Sequence, residues 1–150
     1  MLRTLRANDA DALPRLDLLV QRARTLGSVF VARAYGAWYD PEEALSAFGQ
    51  SLDPVFVPPA GPGSVPTTAA LVVDGLSFIR AGQVQALALS GDDRLLPLVA
   101  VAHTEGLPVA LLAHSCQPDG PCLKLASIAE PAAIYARAAS RSARYRRSVA

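Results

Sequence analysis

Short apolar runs alternate with helix-like segments along this chain. VQALALS (residues 84–90) and PVALLA (108–113) are nearly all-apolar runs of strand length. Such runs are typical of strands that are covered on both faces in a parallel sheet. Residues 11–26 instead carry leucines at helical spacing, and Gly27 follows as a stop signal. The alternation predicts an α/β sandwich with a mostly parallel sheet flanked by helices and joined by right-handed crossovers.

The other elements are predicted from the same patterns and from their boundary residues. Asp40 followed by Pro41 is a typical helix start, since the aspartate caps the helix and the proline fits its first position. Strands are predicted at residues 28–36 and 54–57, and helices at 41–49, from Thr67 or Thr68 to Gly82, from Pro97 to Gly106, and at 122–130.

Composition excludes several classes of protein. The chain has 150 residues, of which 51% are hydrophobic and 18% are charged, so it suits one folded domain with a buried core. No apolar leader or membrane-spanning run occurs, which predicts a cytoplasmic protein with no membrane partner. Cys116 and Cys122 are too few for a secreted disulfide framework, and reduced thiols are expected.

The charge of the chain is unevenly distributed. Residues 137–150 contain five arginines and no acid, which leaves nine of the 14 basic residues against all 13 acids in residues 1–136. We therefore predict a domain over residues 1–136 and a basic tail over 137–150. Such a tail either contacts a polyanion or is simply solvated and disordered.

Polar residues follow the predicted strands, where ligands bind in parallel α/β folds. Asp92 and Asp93 follow the run that ends at Ser90, and two adjacent carboxylates either bind Mg²⁺ or Mn²⁺ or cap the next helix. Trp38 either stacks on a nucleobase or packs at the edge of the sheet. His114, Cys116 and Cys122 match no standard zinc spacing, and three candidates without a fourth form an incomplete tetrahedron.

Five motifs, taken in order, resemble those of the NYN domain, a PIN-like ribonuclease family. They are VARAYGAW (31–38), PVFVPP (54–59), LVVDGLSFI (71–79), LALSGDDRLLPLV (87–99) and GLPVALLA (106–113). The resemblance covers about residues 13 to 135. It implies a Rossmann-like sandwich in which acids at the carboxyl ends of the strands bind Mg²⁺ or Mn²⁺, and the metal activates water to cut RNA.

The resemblance also assigns roles to individual residues. Asp92 and Asp74 match metal-binding, catalytic acids of the family, with Asp93 as a stand-in for a third acid. Two further acidic positions of the family are occupied here by Arg94 and Thr68. A guanidinium at such a position repels a divalent cation but suits a phosphate. Weak or absent Mg²⁺ or Mn²⁺ binding is therefore expected.

The family begins with a central strand that ends in D-x-x-N, and residues 1–14 do not supply it. Either the natural chain begins upstream of Met1, or the strand has been lost and a partner fills the gap. Because an open gap exposes unpaired backbone groups of strands such as residues 84–90, we expect a homodimer or a protein partner. Residues 2–7 are a second candidate for filling it.

These expectations combine into one functional hypothesis with an alternative. The resemblance implies an RNA-processing domain, a metal-dependent endoribonuclease with a degraded active site. The alternative is a non-catalytic module that binds RNA or protein. The residues predicted to contact RNA are Arg94, Trp38, Arg144, Arg146 and Arg147.

Overall fold

The apolar runs and helical segments alternate as helices and strands in the computed structural model, which describes residues 12–49, 51–58 and 66–135. Residues 2–7, the second candidate for filling the gap, and the basic tail with Arg144, Arg146 and Arg147 lie outside the described residues. In chain order the elements are α1 (Ala12–Leu26), β1 (Arg33–Gly36), α2 (Pro41–Gly49), β2 (Asp53–Phe56), α3 (Pro66–Arg80), β3 (Leu87–Leu89), a 3₁₀ turn (Asp93–Leu95), α4 (Leu96–Thr104), β4 (Val109–His114), α5 (Pro121–Leu125) and β5 (Ile128–Pro131).

All strand pairs between these elements are parallel. β1 pairs with β2, with Arg33 opposite Asp53, and β3, β4 and β5 form a second sheet in that order. The fold is therefore mixed α/β with two small parallel sheets flanked by helices, which confirms the predicted fold class.

Apolar side chains cover both faces of the strands. On one face, β1, β3 and β4 pack against α3, α4 and α5. On the other, α1 contacts both sheets, because Val20 packs with Ala34 of β1 and Leu19 with Ala110 of β4. The largest side chains with essentially no exposure are Leu95, Leu98, Leu111, Val99, Val109 and Cys122. Full burial of one such aliphatic side chain contributes about 1.5–3 kcal/mol, so the larger cluster dominates the stability.

A groove separates the two sheets. β1 has β2 on one side and β3 has β4 on one side, and within the described residues neither has a strand on its other side. The groove has a volume of about 880 Å³ and is lined by residues of α1, β1, α3, β3 and β4. We call it the inter-sheet groove. Its walls are mostly apolar.

Two predicted strands are shorter in the structure. Only Arg33–Gly36 of the predicted strand 28–36 and Leu87–Leu89 of the predicted strand 84–90 form ladders. Both border the inter-sheet groove, and among the strands that the structure describes each pairs with a neighbour on one side only.

The prediction of a helix at residues 122–130 is wrong for its second half. Helix α5 ends at Leu125, and β5 then pairs with β4. Glu130 in β5 accepts hydrogen bonds from Arg22 of α1 and from the hydroxyl of Tyr135 (2.7 Å). The contact with Arg22 and the pairing with β4 join residues that are distant in sequence, and they override the local helical pattern.

The predicted helix starts had different outcomes. Asp40 caps α2, since its Oδ1 accepts a hydrogen bond of 2.8 Å from the backbone N–H of Glu42. Thr67 and Thr68 are not caps, because α3 already begins at Pro66 and both threonines are buried inside it. Proline at the first helical position is itself a good start, since its fixed φ suits the helix.

Strand β4 contains a bulge near its end. Leu112 pairs with Glu130 and His114 with Pro131, so Ala113 is an extra residue on this strand. Its φ is 49°, in the left-handed region that an L-residue other than glycine seldom adopts. A bulge of this kind bends the strand and redirects the side chains that follow it.

Candidate functional site

Residues 89–96, with the sequence LSGDDRLL, form a corner that links β3 to α4 at the carboxyl end of the sheet. Gly91 is buried there, and a Cβ on it would lie 2.6 Å from Cδ1 of the buried Leu95, so a larger residue would displace that side chain. Asp92 has extended backbone angles and caps the 3₁₀ turn, since its Oδ1 accepts a hydrogen bond of 3.0 Å from the backbone N–H of Arg94. Asp92 therefore caps the 3₁₀ turn that leads into α4, whereas α4 itself begins without a side-chain cap.

The carboxylate of Asp92 also binds the side chain of Arg94. Nε of Arg94 donates to Oδ1 (2.8 Å) and to Oδ2 (2.9 Å), and Nη2 donates to Oδ2. These hydrogen bonds lower the pKa of Asp92 and raise that of Arg94. The position where the resemblance places a divalent cation thus faces a guanidinium.

Asp93 points away from this pair and into the protein. Its Oδ2 accepts a hydrogen bond of 2.8 Å from the backbone N–H of Gln117. Its Oδ1 is buried and has no hydrogen-bond partner within the described part of the chain. Gly120 lies beside this oxygen, and a Cβ there would be only 2.6 Å from it. One buried carboxylate oxygen therefore faces a space that the absence of a side chain keeps open.

Two cysteines complete this cluster. Potential ligand atoms of Asp93, Cys116 and Cys122 all lie within 4.8 Å of one another, the one such group of three or more found among the described residues. Both thiols are free, and burial is the main cause that raises the pKa of Cys116 to about 12 and raises that of Cys122. The negative charge of Asp93 adds to both shifts. We call this group the Asp-Cys-Cys cluster.

His114 lies next to the cluster at the end of β4. Its Nδ1 accepts a hydrogen bond of 3.3 Å from the backbone N–H of Cys116, and the residue is buried. Burial lowers the pKa of His114, and Asp93 opposes that shift. The contact between His114 and Cys116 helps to position the start of the loop that carries Cys116.

Asp74, the other predicted metal ligand, lies on α3 against β1. Its Oδ2 accepts hydrogen bonds from Nη1 of Arg33 (2.8 Å) and from the hydroxyl of Tyr35 (2.9 Å). Arg33 also lies over the ring of Phe78, at 5.0 Å from its centroid. Asp74 therefore joins a helix to a strand, whereas Asp92 and Asp93 belong to the corner after β3.

Trp38 packs at the edge of the β1–β2 sheet. Its Nε1 donates a hydrogen bond of 2.9 Å to the carbonyl oxygen of Val55, and its ring contacts the cluster around Ala34. The structure thus shows the packing contact that was one of the two interpretations of this residue. Stacking on a nucleobase stays a prediction.

Comparison of the chain with protein-family models, with curated proteins and with solved structures finds no match in any of the three. The resemblance of the motifs to the NYN domain therefore stays a prediction. Among the described helices, none is both long and apolar enough to cross a membrane.

The sequence patterns indicate all three residues of the Asp-Cys-Cys cluster as candidate ligands, but they do not predict that the three lie together. Asp93 was predicted beside Asp92 in a magnesium or manganese corner, and the cysteines were considered with His114. The missing information was the order of the strands, because β3 and β4 must be neighbours before Asp93 can meet Cys116.

Proposed function

We propose that this chain is a PIN-like α/β domain of the NYN type that binds single-stranded RNA and has lost metal-dependent cleavage. The observation that carries the proposal is the hydrogen-bonded pair of Asp92 and Arg94 at the carboxyl end of β3. A catalytic Mg²⁺ or Mn²⁺ at Asp92 would have to displace a charge-assisted contact and sit beside a positive charge.

The second retained acid is engaged in the same way. Asp74 accepts hydrogen bonds from Arg33 and Tyr35, and its ion pair ties α3 to β1. Recruiting Asp74 to a shared metal would break this contact. Both acids that match the family's ligands are thus bonded to arginines, which supports binding without cutting.

Arg94 keeps hydrogen-bonding capacity for a phosphate. A guanidinium has five N–H donors, and Asp92 engages those at Nε and Nη2. The side chain is 48% exposed, so a phosphate oxygen can reach it from solvent. Arginine is well suited to such contacts because its planar donors match the geometry of phosphate oxygens.

The test is RNA binding and cleavage by the full chain. Fluorescence anisotropy with a labelled single-stranded oligoribonucleotide is measured over a range of salt concentrations, and cleavage is followed on gels with Mn²⁺. We expect binding without cleavage. In Arg94→Ala the slope of log K against log salt should decrease by about 0.7, the value for one phosphate contact on a single strand.

Controls separate the corner from the rest of the chain. Arg80→Ala removes another exposed arginine, on α3, and should leave affinity unchanged. Deletion of residues 137–150, with five arginines, should reduce the slope by up to about 3.5.

Calorimetry should detect no Mn²⁺ binding tighter than millimolar. Mn²⁺-dependent cleavage by the unmodified chain that disappears in Asp92→Ala would overturn the proposal, whereas cleavage gained only by Arg94→Asp with Thr68→Asp would support it.

A second candidate function is self-association through the inter-sheet groove. The groove is bordered by two strands that lack a partner on that side within the described residues. Phe30 lines the groove and is 83% exposed. The same face of the protein therefore carries an exposed apolar side chain and an apolar groove that can receive one. A twofold dimer uses the same patch on both subunits, and a second copy of this chain fits that requirement.

A further inference from the structure

We propose that the Asp-Cys-Cys cluster is a zinc site. The proposal goes beyond RNA binding, because the contacts offered by Arg94 require no metal. It rests on three side chains: Asp93 in the 3₁₀ turn after β3, Cys116 in the segment that joins β4 to α5, and Cys122 in the first turn of α5.

The donor atoms select the metal. Two thiol sulfurs and one carboxylate oxygen form a mixed set that suits Zn²⁺, whereas Mg²⁺ and Mn²⁺ prefer oxygen ligands alone. In a tetrahedral zinc site the ligand atoms are about 3.3–3.8 Å apart, as follows from bond lengths near 2.0–2.3 Å. The three ligand atoms here already lie within 4.8 Å of one another, so small side-chain movements suffice.

Asp93 provides independent support. Its buried Oδ1 has no hydrogen-bond partner among the described residues, and a carboxylate oxygen in that state is costly unless a cation or donor reaches it. Its Oδ2 is held by the backbone N–H of Gln117, at 2.8 Å, which fixes the orientation of the carboxylate. The thiol of Cys122 contacts the backbone oxygen of Asp93 at 3.7 Å, so cysteine and aspartate are already adjacent.

Gly120 keeps space beside the free oxygen. Its φ of −65° is one that any residue can adopt, so backbone conformation does not require glycine here. A Cβ would lie 2.6 Å from Oδ1 of Asp93, closer than atoms in van der Waals contact. The glycine therefore preserves room at the one carboxylate oxygen that a metal would bind.

Three protein ligands leave a fourth coordination position. Zinc sites with three protein ligands usually carry water or another exchangeable ligand there, whereas purely structural sites are closed by four. Cysteine binds zinc as the thiolate, so each thiol releases one proton when the metal binds.

A disulfide between Cys116 and Cys122 is the competing chemistry. It requires the sulfurs to approach to about 2.05 Å, and it would remove both thiol ligands while leaving Oδ1 of Asp93 without a cation. The two states are distinguishable, since a disulfide consumes thiols and excludes the metal.

The experiment uses the full chain, free of any affinity tag and kept reduced. Zn²⁺ affinity is measured by competition with a chromophoric chelator, and bound metal is counted by elemental analysis. Co²⁺ then replaces Zn²⁺ as a spectroscopic probe. We expect one metal per chain and a thiolate-to-cobalt charge-transfer band with visible bands of tetrahedral intensity. Asp93→Asn and Cys116→Ser should each weaken Zn²⁺ binding at least about tenfold, and Cys116→Ser should reduce the charge-transfer band.

Asp119→Asn is the matched control, because it removes an exposed carboxylate from the same loop. It should leave affinity and spectra unchanged. Circular dichroism of each variant without metal checks that the fold is retained. The proposal would be overturned if the reduced, unmodified chain failed to bind Zn²⁺. It would also be overturned if folded Asp93→Asn and Cys116→Ser each bound Zn²⁺ as tightly as the unmodified chain. Isolation of a chain that forms the disulfide and does not take up metal after reduction would do so as well.

Discussion

The hydroxyl of Tyr35 donates a hydrogen bond of 2.9 Å to Oδ2 of Asp74, and the same oxygen accepts a hydrogen bond from Nη1 of Arg33. Tyr35 is 5% exposed and lies in the main core cluster, so this contact anchors a carboxylate at the boundary of that core. The arrangement gives Asp74 a structural role in joining α3 to β1.

We therefore expect Asp74→Asn to lower the free energy of unfolding by about 1 kcal/mol, because a hydrogen bond to a charged group is lost at a partly exposed site. Chemical denaturation provides the measurement. Asp53→Asn, which changes an exposed aspartate of β2, is the control and should have a smaller effect. If Asp74→Asn instead abolished Mn²⁺ binding without changing stability, the role as a metal ligand implied by the family resemblance would be favoured.

Tyr35 should also make stability depend on alkaline pH. Burial and then Asp74 raise the pKa of this phenol from 10 to about 12, so the folded protein favours its neutral form. Its contribution to the free energy of unfolding is complete below pH 10 and is lost as the pH rises through about 12. Cys116, whose pKa is also raised to about 12, acts in the same direction.

Tyr35→Phe isolates this contribution from that of the thiol. The decline in stability between pH 10 and 12 should be shallower in the variant than in the unmodified chain. Tyr39→Phe, at an exposed tyrosine, should leave the decline unchanged. Equal slopes for all three chains, measured by urea denaturation, would contradict the expectation.

Self-association should depend on Phe30. Phe30→Asp places a charge on the apolar rim of the inter-sheet groove and should shift the chain from dimer to monomer in light scattering. Phe48→Asp is a close control, because Phe48 is 67% exposed on α2 and does not line the groove. A monomeric unmodified chain at micromolar concentration would exclude the dimer, and hydrogen exchange at β3 would then show whether another segment covers that edge.

The core has little room between α3 and α4. A Cβ on Gly75 would lie 2.6 and 2.8 Å from the two Cδ atoms of Leu98, which is completely buried. Gly75→Ala should destabilise the protein by about 1–2 kcal/mol, since overpacking outweighs the gain of about 1 kcal/mol in helix propensity. In thermal denaturation, combination with Leu98→Ala should cost less than the sum of the two single changes. Gly49→Ala, where no atom lies within 4 Å, should be neutral or stabilising.

Local patterns predicted the class of the fold and most helices well. PVALLA became part of β4 because its all-apolar composition suits a strand buried on both faces. The strand at Ile128–Pro131 was missed because its stability depends on β4 and on the bond between Glu130 and Arg22, and neither is visible in a local window.

The candidate site was less predictable for the same reason. Asp92 and Arg94 are two residues apart, and their proximity follows from the corner itself. Asp93 and Cys116 are close only because β3 and β4 are neighbours in the sheet. The spacing of the ligands along the chain does not reveal which strands are neighbours. Parallel sheets generally bring together residues that the sequence separates by a whole crossover unit.

The bulge at Ala113 adds one residue to the end of β4, immediately before the segment that carries Cys116. Ala113 packs with the same cluster as Leu112, so two successive residues share one face, and alternation resumes one residue later at His114. Cys116 and Cys122 belong to the opposite face, with the main core. Loss of Ala113 would leave His114 directly after Leu112 and on the face that it already occupies, but it would shorten the path from β4 to Cys116 by one residue. An evolutionary deletion at Ala113 would therefore act on the cluster through the reach of the loop that brings Cys116 to Asp93, with all three ligand residues intact.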